Sequence, residues 1–498
     1  MKKILSLVLV LAMLASLPVA LAADEEPYEF SLMINFGADL DDAGKAYIAM
    51  LEEACNVKLD LRTPAGSAYA ESLQMMIASG DYADLVLFPD AKQVTLRDGA
   101  ANGLYLALND LLPNYPNIMK YTHAAAIEEA KILKDGNIYA VPLCIVTRAA
   151  GLAIRQDWLD ALNISIPENG RITPDELYNI LYAIVNNDPD GNGKKDTYGY
   201  SAYTNGGDIT PQFQWAFGLL GWQEYDGEYM DLMYSKDHDN FKRCLAFNAK
   251  LWADGLFDPD WPTIQTSSVM LDRFRSGVVG MVGRFAGHMI QDLPLGQAID
   301  PDFDLGYITG IVEKEEDKDS YKGANWATGS WGFWGISSFA EHPEKILAFL
   351  DYLLSDEGWN STKWGPEGVT WKMVDGVPTP TELYNTNFVS RNFARRSTDA
   401  SFFVHINMEP DFYEATLNRL QICVDQNSLT LDMGYQPDVL QDPIYLDYVK
   451  YMKVEIAKII TGARPVDDWD EILDGWYEAG GDEYVAEMQE YIASQQGK

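Results

Sequence analysis

Apolar positions along this chain recur with two periods, and the two alternate. Glu29-Phe-Ser-Leu-Met-Ile34, following Tyr28, reads as a first strand that ends at Asn35-Phe36-Gly37. Residues 43–54 then place Ala46, Tyr47, Met50, Leu51 and Ala54 on one helical face. Val57–Leu61 is a second strand, 68–79 a second helix, and Leu85-Val-Leu-Phe88 a short, wholly apolar strand. Strands and helices alternating at this spacing imply βαβ units, and so a parallel sheet covered on both faces. Ligands of such sheets gather beyond the carboxyl ends of the strands, here near Asn35 and near Phe88-Pro89-Asp90.

Further along, Asp135-Gly-Asn-Ile-Tyr-Ala-Val-Pro142 opens a new element, followed by an apolar stretch over Ala149–Ile154. A helix with clear end signals comes next. Thr173 caps it, Pro174 suits its first turn and Glu176 completes a capping box. Leu177, Ile180, Leu181, Ile184 and Val185 form its apolar face. Tyr198–Tyr203 reads as a strand, 241–257 as an amphipathic helix and Gly277–Val282 as a strand. Glu313–Lys322 is charged and reads as a solvated loop. A helix from Pro343 carries Ile346, Leu347, Phe349, Leu350, Leu353 and Leu354 in one stripe, with Gly358 expected to close it. The tail after 443 is mostly helical. No repeat or low-complexity linker divides the chain, so two lobes are expected to be interleaved, not strung in series.

Composition adds a compartment. Met1-Lys-Lys3, an apolar run from Ile4 to Leu17, and small residues at Ala20 and Ala22 describe a secretory signal over residues 1–22, cut before Ala23. No later stretch reaches the roughly 20 apolar residues of a membrane span. No cysteine follows the apolar core, so the usual lipid-attachment site of exported lipoproteins is absent. The product is expected to be secreted, soluble outside the cytoplasm and monomeric. Losing Lys2 and Lys3 moves the net charge from −38 to −40, which argues against nucleic acid and anionic membrane partners. The roughly 475 residues that remain exceed what one core organises. Cys55, Cys144, Cys244 and Cys423 are scattered, which removes zinc and thioredoxin-like readings. Four cysteines allow three pairings and the sequence selects none; buried free thiols are the plainer reading.

Asp188-Pro-Asp-Gly-Asn-Gly-Lys-Lys-Asp-Thr-Tyr-Gly199 is the most pointed motif. Oxygen-bearing side chains stand at loop positions 1, 3, 5 and 9, Gly191 and Gly193 let the backbone curl inward, and the Lys194 carbonyl occupies position 7. Such spacing suits a hard cation such as calcium, which takes six to eight oxygens. Position 12 is Gly199, not glutamate, so the loop is not an EF-hand. The plain alternative is a polar helix-to-strand turn.

Several segments together resemble a known family. They are Gly80–Phe88, Gly103–Leu112, Asp135–Pro142, Arg155–Leu159, the 188–199 loop, Leu251–Pro259, His342-Pro-Glu344 with its helix, Ser355–Gly358 and Trp364–Val369. The chain is similar to the extracellular solute-binding proteins, family 1, of carbohydrate-uptake ABC transporters, in their long branch. The resemblance implies an α/β, two-lobed, periplasmic-binding-protein-like (type II) fold with a hinge. One lobe would hold 24–144 plus 333–400, the other 145–332 plus 401–498. Relatives that bind acidic oligosaccharides such as alginate hold calcium in the matching loop. That implies a structural calcium ion on Asp188, Asp190, Asn192, the Lys194 carbonyl and Asp196. Thr197 replaces the glutamate of those relatives.

A sugar offers apolar ring faces to indoles and hydroxyls to planar polar side chains. The aromatic-glycine cluster Trp326, Trp331 and Trp334 therefore heads the ligand-binding candidates, with Phe88 and Trp215 beside it and Trp222 and Trp364 behind. Arg148 and Arg284 stand where a guanidinium fork would meet a uronate or an inter-lobe carboxylate. Asp90 and Asn35 would accept from sugar hydroxyls in the first lobe, Tyr203 and Asn205 in the second. No Gly-x-Ser-x-Gly elbow, His-Glu-x-x-His or Walker loop is present, and the five histidines are scattered. The expectation is a non-enzymatic binding protein that captures an oligosaccharide between two lobes and hands it to ABC permease subunits in the membrane. The alternatives are an exported polysaccharide-degrading enzyme (a lyase or glycoside hydrolase) and a surface protein sensing peptides or lipids.

Overall fold

The computed structural model describes residues 26–496 apart from 36–39, 65–67, 90–93, 134, 145–149, 204–208, 265, 326–329, 385–392, 395 and 397–409. Its principal strands, in chain order, are β1 (Tyr28–Met33), β2 (Val57–Arg62), β3 (Leu85–Phe88), β4 (Val141–Cys144), β5 (Ala150–Arg155), β6 (Tyr198–Ser201), β7 (Val279–Phe285), β8 (Leu305–Ile308) and β9 (Ser330–Ile336). They form two sheets. The first has the order β2-β1-β3-β9-β4, the second β8-β5-β7-β6. In the first, β1 pairs parallel with β2 (Tyr28 opposite Val57) and with β3 (Leu32 opposite Leu85). The late strand β9 inserts antiparallel between β3 and β4. In the second, β7 runs antiparallel to β5 and parallel to β6.

Helices cover these sheets because their apolar stripes leave no alternative. Helix α1 (Asp42–Cys55) is capped by Asp41, whose carboxylate accepts the Gly44 N–H at 2.7 Å. Helix α2 (Tyr69–Ser79) leads to β3. In α3 (Pro174–Asn186) the expected capping box is complete: the Glu176 N–H donates to Thr173 Oγ1, and the Thr173 N–H to Glu176 Oε2. Such a cap contributes about 1 kcal/mol, and the whole apolar face of α3 is buried. Helix α4 (Asn240–Ala253) and helix α5 (Met289–Gln297) belong to the second sheet's side. Helix α6 (Pro343–Leu354) buries the stripe expected of it, and α7 (Asp356–Trp364) follows after one residue. Helices α8 (Pro410–Asp425) and α9 (Pro443–Ile460) open the C-terminal helical region.

Core packing follows the sheets. The buried clusters draw either on residues between Phe30 and Val141–Leu143 with Phe333–Ala394, or on residues between Leu152 and Ile311 with Leu420–Ile492. Described residues belong to the first set up to Cys144, to the second from Ala150 to Asn325, to the first again from Ser330 to Ala394, and to the second from α8 onward, so each set is discontinuous in sequence. Strand β9 begins at Ser330, three residues before the expected lobe boundary, which therefore falls inside a strand.

Three local expectations are corrected. Gly358 does not end α6; it lies in the first turn of α7, where its N–H donates to the capping Ser355 Oγ. A Cβ at that position would stand 2.0 Å from the Tyr352 carbonyl oxygen, so close packing explains the glycine. The charged 313–322 segment is not simply solvated, because Lys318 is buried and bonds both Glu176 and Glu315. The strand expected to end at Val282 continues to Phe285. All four cysteines are free thiols, and Cys144, Cys244 and Cys423 are buried. Among the described residues no helix is long and apolar enough to cross a membrane.

Candidate binding cleft and cation loop

Strands β1, β3 and β4 share one direction in the first sheet, as β6 and β7 do in the second. Their carboxyl ends define where a ligand of such sheets lies. Asn35 stands just past β1. Its Oδ1 is buried with no hydrogen-bond partner. Tyr203, two residues past β6, is 43 % exposed. Burial, and after it the Glu128 carboxylate, pushes the Tyr491 phenol up to about 12.

Other candidates sit elsewhere. Trp334 is 1 % exposed, and its indole N–H donates to the Phe393 carbonyl at 3.0 Å. It is a core residue of the first lobe and offers no ring face to a sugar. Phe88 is equally buried, edge-on against Tyr105 with centroids 5.2 Å apart. The cause is common to both: β3 and β9 are central strands covered on both faces. Trp215 is buried in the second lobe against Gly323, and Trp222 is buried beside Tyr484. Arg284 is held within its own lobe. Its guanidinium forks onto Asp292 at 2.6 and 3.2 Å, and the fully buried Asp292 also pairs with Arg275. Arg284 thus faces a carboxylate of α5, where a uronate or a partner across the cleft was expected. Nothing in the sequence spacing pointed to Asp292, eight residues downstream beyond a turn. Trp326, Arg148, Asp90 and Asn205 lie outside the described residues, as does the side chain of Trp331.

The 188–199 loop is described throughout. Asp188 itself adopts a left-handed conformation (φ 49°), and Gly191 (φ 65°) and Gly193 (φ 78°) turn the backbone in the same sense. Asp188 Oδ2 accepts the Gly193 N–H at 3.0 Å, whereas Asp188 Oδ1 is buried and bonds nothing. The Asn192 amide nitrogen donates to Asp190 Oδ2 at 2.7 Å and to Asp196 Oδ1 at 3.0 Å. The Lys194 N–H donates to Asn192 Oδ1 at 2.7 Å. Partial burial, then the neighbouring Asp188 and Asp196 carboxylates, hold Asp190 above the usual carboxylate range. Thr197 turns away from this group: it is buried and its hydroxyl donates to the Ile184 carbonyl at 2.9 Å, tying the loop to the last turn of α3. Among the described residues no three His, Cys, Asp or Glu side chains form a ready metal cage.

The chain matches the family model of the bacterial extracellular solute-binding proteins over residues 37–358. It is 25 % identical over 338 residues to the polygalacturonan/rhamnogalacturonan-binding protein YtcQ of Bacillus subtilis, an alignment covering 65 % of this chain and 62 % of that one. Its fold resembles the Streptococcus pneumoniae ABC-transporter substrate-binding protein FusA in complex with kestose, with a TM-score of 0.68 and 20 % identity over 94 % of this chain and 99 % of that one. It also resembles the alginate-binding protein AlgQ2 without calcium ion, with a TM-score of 0.66 and 18 % identity over 94 % and 98 % of the two chains. These solved folds have the two-lobed α/β architecture described above.

Proposed function

The chain belongs to the bacterial extracellular solute-binding protein family, and from that premise we propose that it captures an oligosaccharide between its two lobes and delivers it to the permease subunits of an ABC importer. The observation that carries this reading is the pair of separately cored α/β lobes, with β3 and β4 of the first ending on the edge of the sheet where β9 begins. Sugar contacts from both lobes would offset the ordering cost of closure. On this reading residues 1–22 are an export signal, and the mature protein works outside the cytoplasm as a monomer that alters no bond of its ligand. Lobe boundaries would fall near 144, at the start of β9, and in the 397–409 stretch. In the site, Asn35 and Tyr203 are the described candidates for hydroxyl contacts, and Asp90, Arg148, Asn205, Trp326 and Trp331 complete the proposed rim.

The 188–199 loop fits a structural calcium ion. Asp188 Oδ1 is a buried carboxylate oxygen without a donor, and the Asn192 amide group supplies the positive dipole between Asp190 and Asp196. Asp188, Asp190, Asn192, the Lys194 carbonyl and Asp196 would hold the ion. Its role would be to neutralise these carboxylates and fix the α3-to-β6 connection, away from the sugar.

Ligand screening tests the whole. Melting of the mature protein is followed with inulin-type fructo-oligosaccharides, manno-oligosaccharides and oligogalacturonates, and the sugars are recovered and sized afterwards. Stabilisation with the sugar returned intact is the expected result. Shortened sugar would establish the degrading-enzyme alternative, and no stabilisation across the panel would refute carbohydrate capture.

A further inference from the structure

Beyond α7 the chain builds a feature that the fold does not require. Trp371–Val374 (β10) and Val377–Pro380 (β11) form an antiparallel hairpin, Trp371 opposite Pro380. Its two-residue turn is Asp375-Gly376, with φ of 52° and 82°, the left-handed pair that such a hairpin demands. At its base three aromatic rings meet. Trp364 lies 5.4 Å from Trp371 and 6.1 Å from Tyr384, centroid to centroid.

Two of the three polar tips are tied to backbone. The Trp371 indole N–H donates to the Gly365 carbonyl at 2.9 Å, and the Tyr384 hydroxyl to the Lys363 carbonyl at 3.0 Å. The buried Thr370 hydroxyl donates to the Trp364 carbonyl at 2.6 Å, which fixes the segment between the indoles. All three rings are only half-buried, and none of them joins the core clusters of the first lobe. Rings packed for stability would be expected in those clusters. Here the Trp371 and Tyr384 tips are tied to backbone while all three residues stay half-buried.

Position follows from α1 and α7. Tyr47 lies in the first half of α1, and its hydroxyl bonds Thr362, in the last turn of α7, at 3.2 Å. The end of α7 therefore lies beside the first half of α1, the half nearer the carboxyl end of β1. Trp364 emerges at the ligand end of the first sheet, on the side of Asn35.

We propose that Trp364, Trp371 and Tyr384 form a stacking platform at the mouth of the first lobe for the apolar face of an outlying pyranose ring of the oligosaccharide. This assignment rests on carbohydrate capture as the function. It makes the first lobe responsible for preferring longer pyranose chains over disaccharides, because only a ring beyond the central subsites reaches the trio.

The test measures affinity against chain length, from two to six residues, with oligogalacturonates and manno-oligosaccharides, and with inulin-type fructo-oligosaccharides as furanose controls. Wild type is compared with Trp364→Leu/Trp371→Leu. The leucine pair should lose about 10-fold in affinity for the longer pyranose chains, keep its affinity for the disaccharide, and leave the furanose series unchanged. Fluorine NMR of the unmutated chain carrying 5-fluorotryptophan guards against misfolding of the leucine variant: the Trp364 and Trp371 resonances should move with long pyranose ligands and stay still with short ones. If a sugar binds and these resonances do not distinguish chain lengths, or the variant loses affinity equally at every length, the platform is wrong while the transport role stands. If wild type binds no sugar at all, both fall.

Discussion

Removing calcium should cost the second lobe a measurable part of its stability, by an amount that depends on pH in a definite sense. Asp190 sits above its ordinary pKa in the ion-free loop, through burial and then through Asp188 and Asp196. A carboxyl raised in the folded state contributes stability below its unfolded pKa, and that contribution is lost as pH rises through the folded value. The ion-free loop is therefore at its weakest once Asp190 is charged beside Asp188 and Asp196, with only the Asn192 amide between two of these side chains. A bound cation reverses the sign, because it favours the charged form. At about 100 times its dissociation constant, calcium adds about 2.7 kcal/mol. Spread over a lobe of a few hundred residues, that corresponds to about 5–10 °C in melting temperature. Differential scanning fluorimetry in calcium and in chelator, at pH 7 and pH 4, provides the measurement. The gap should be wide at pH 7 and shrink toward pH 4, as Asp190 protonates. Asp190→Asn should narrow it from both sides, by relieving repulsion in chelator and removing a ligand in calcium. Identical melting at pH 7 with and without calcium would show that the loop is an ordinary turn.

Two further outcomes follow from charges buried in the second lobe. Arg284→Met should destabilise by less than the about 3–5 kcal/mol that a wholly unpaired buried charge costs, because it strips the fork from the fully buried Asp292 but leaves Arg275 in place; chemical denaturation measures it, and an unchanged midpoint would mean that the pair is not formed. Asp231 is raised to about 6 by burial and then by the nearby Asp432. Its stabilising contribution should fade as pH rises through about 6, so the melting advantage of Asp231→Asn over wild type should grow between pH 5 and pH 7.5, and a pH-independent difference would refute the assignment.

The α/β order of the first lobe was legible because its apolar runs have lengths and periods that only strands and helices share with the two-sided burial they receive. Helix α3 was legible to the residue: Thr173, Pro174 and Glu176 act locally, through hydrogen bonds whose partners are three residues apart. Local signals fail where tertiary partners decide. Gly358 looks like a helix terminator by its neighbours, yet its reason is the Tyr352 carbonyl pressed against it. Arg284 looks free until α5 folds Asp292 under it. The family resemblance supplied the discontinuous two-lobed plan, which no periodicity in the chain could reveal.

Aromatic residues show the same division most sharply. A tryptophan in a glycine-rich strand, such as Trp334, reads as accessible because its neighbours are small. In a central strand those glycines do the opposite. A Cβ on Gly332 or Gly335 would press on β3 or on Phe88, so the glycines let adjoining layers close over the strand and bury its indole. Trp364 and Trp371 have no glycine-rich neighbourhood of that kind to recommend them beyond Gly365 and Gly368, yet both are only half-buried, one at the end of α7 and the other in a hairpin with an Asp-Gly turn. Accessibility of an indole in this fold is thus decided by the layer its backbone occupies. In a lobe whose central strands are covered on both faces, the ring faces left for a sugar belong to segments that leave the sheet.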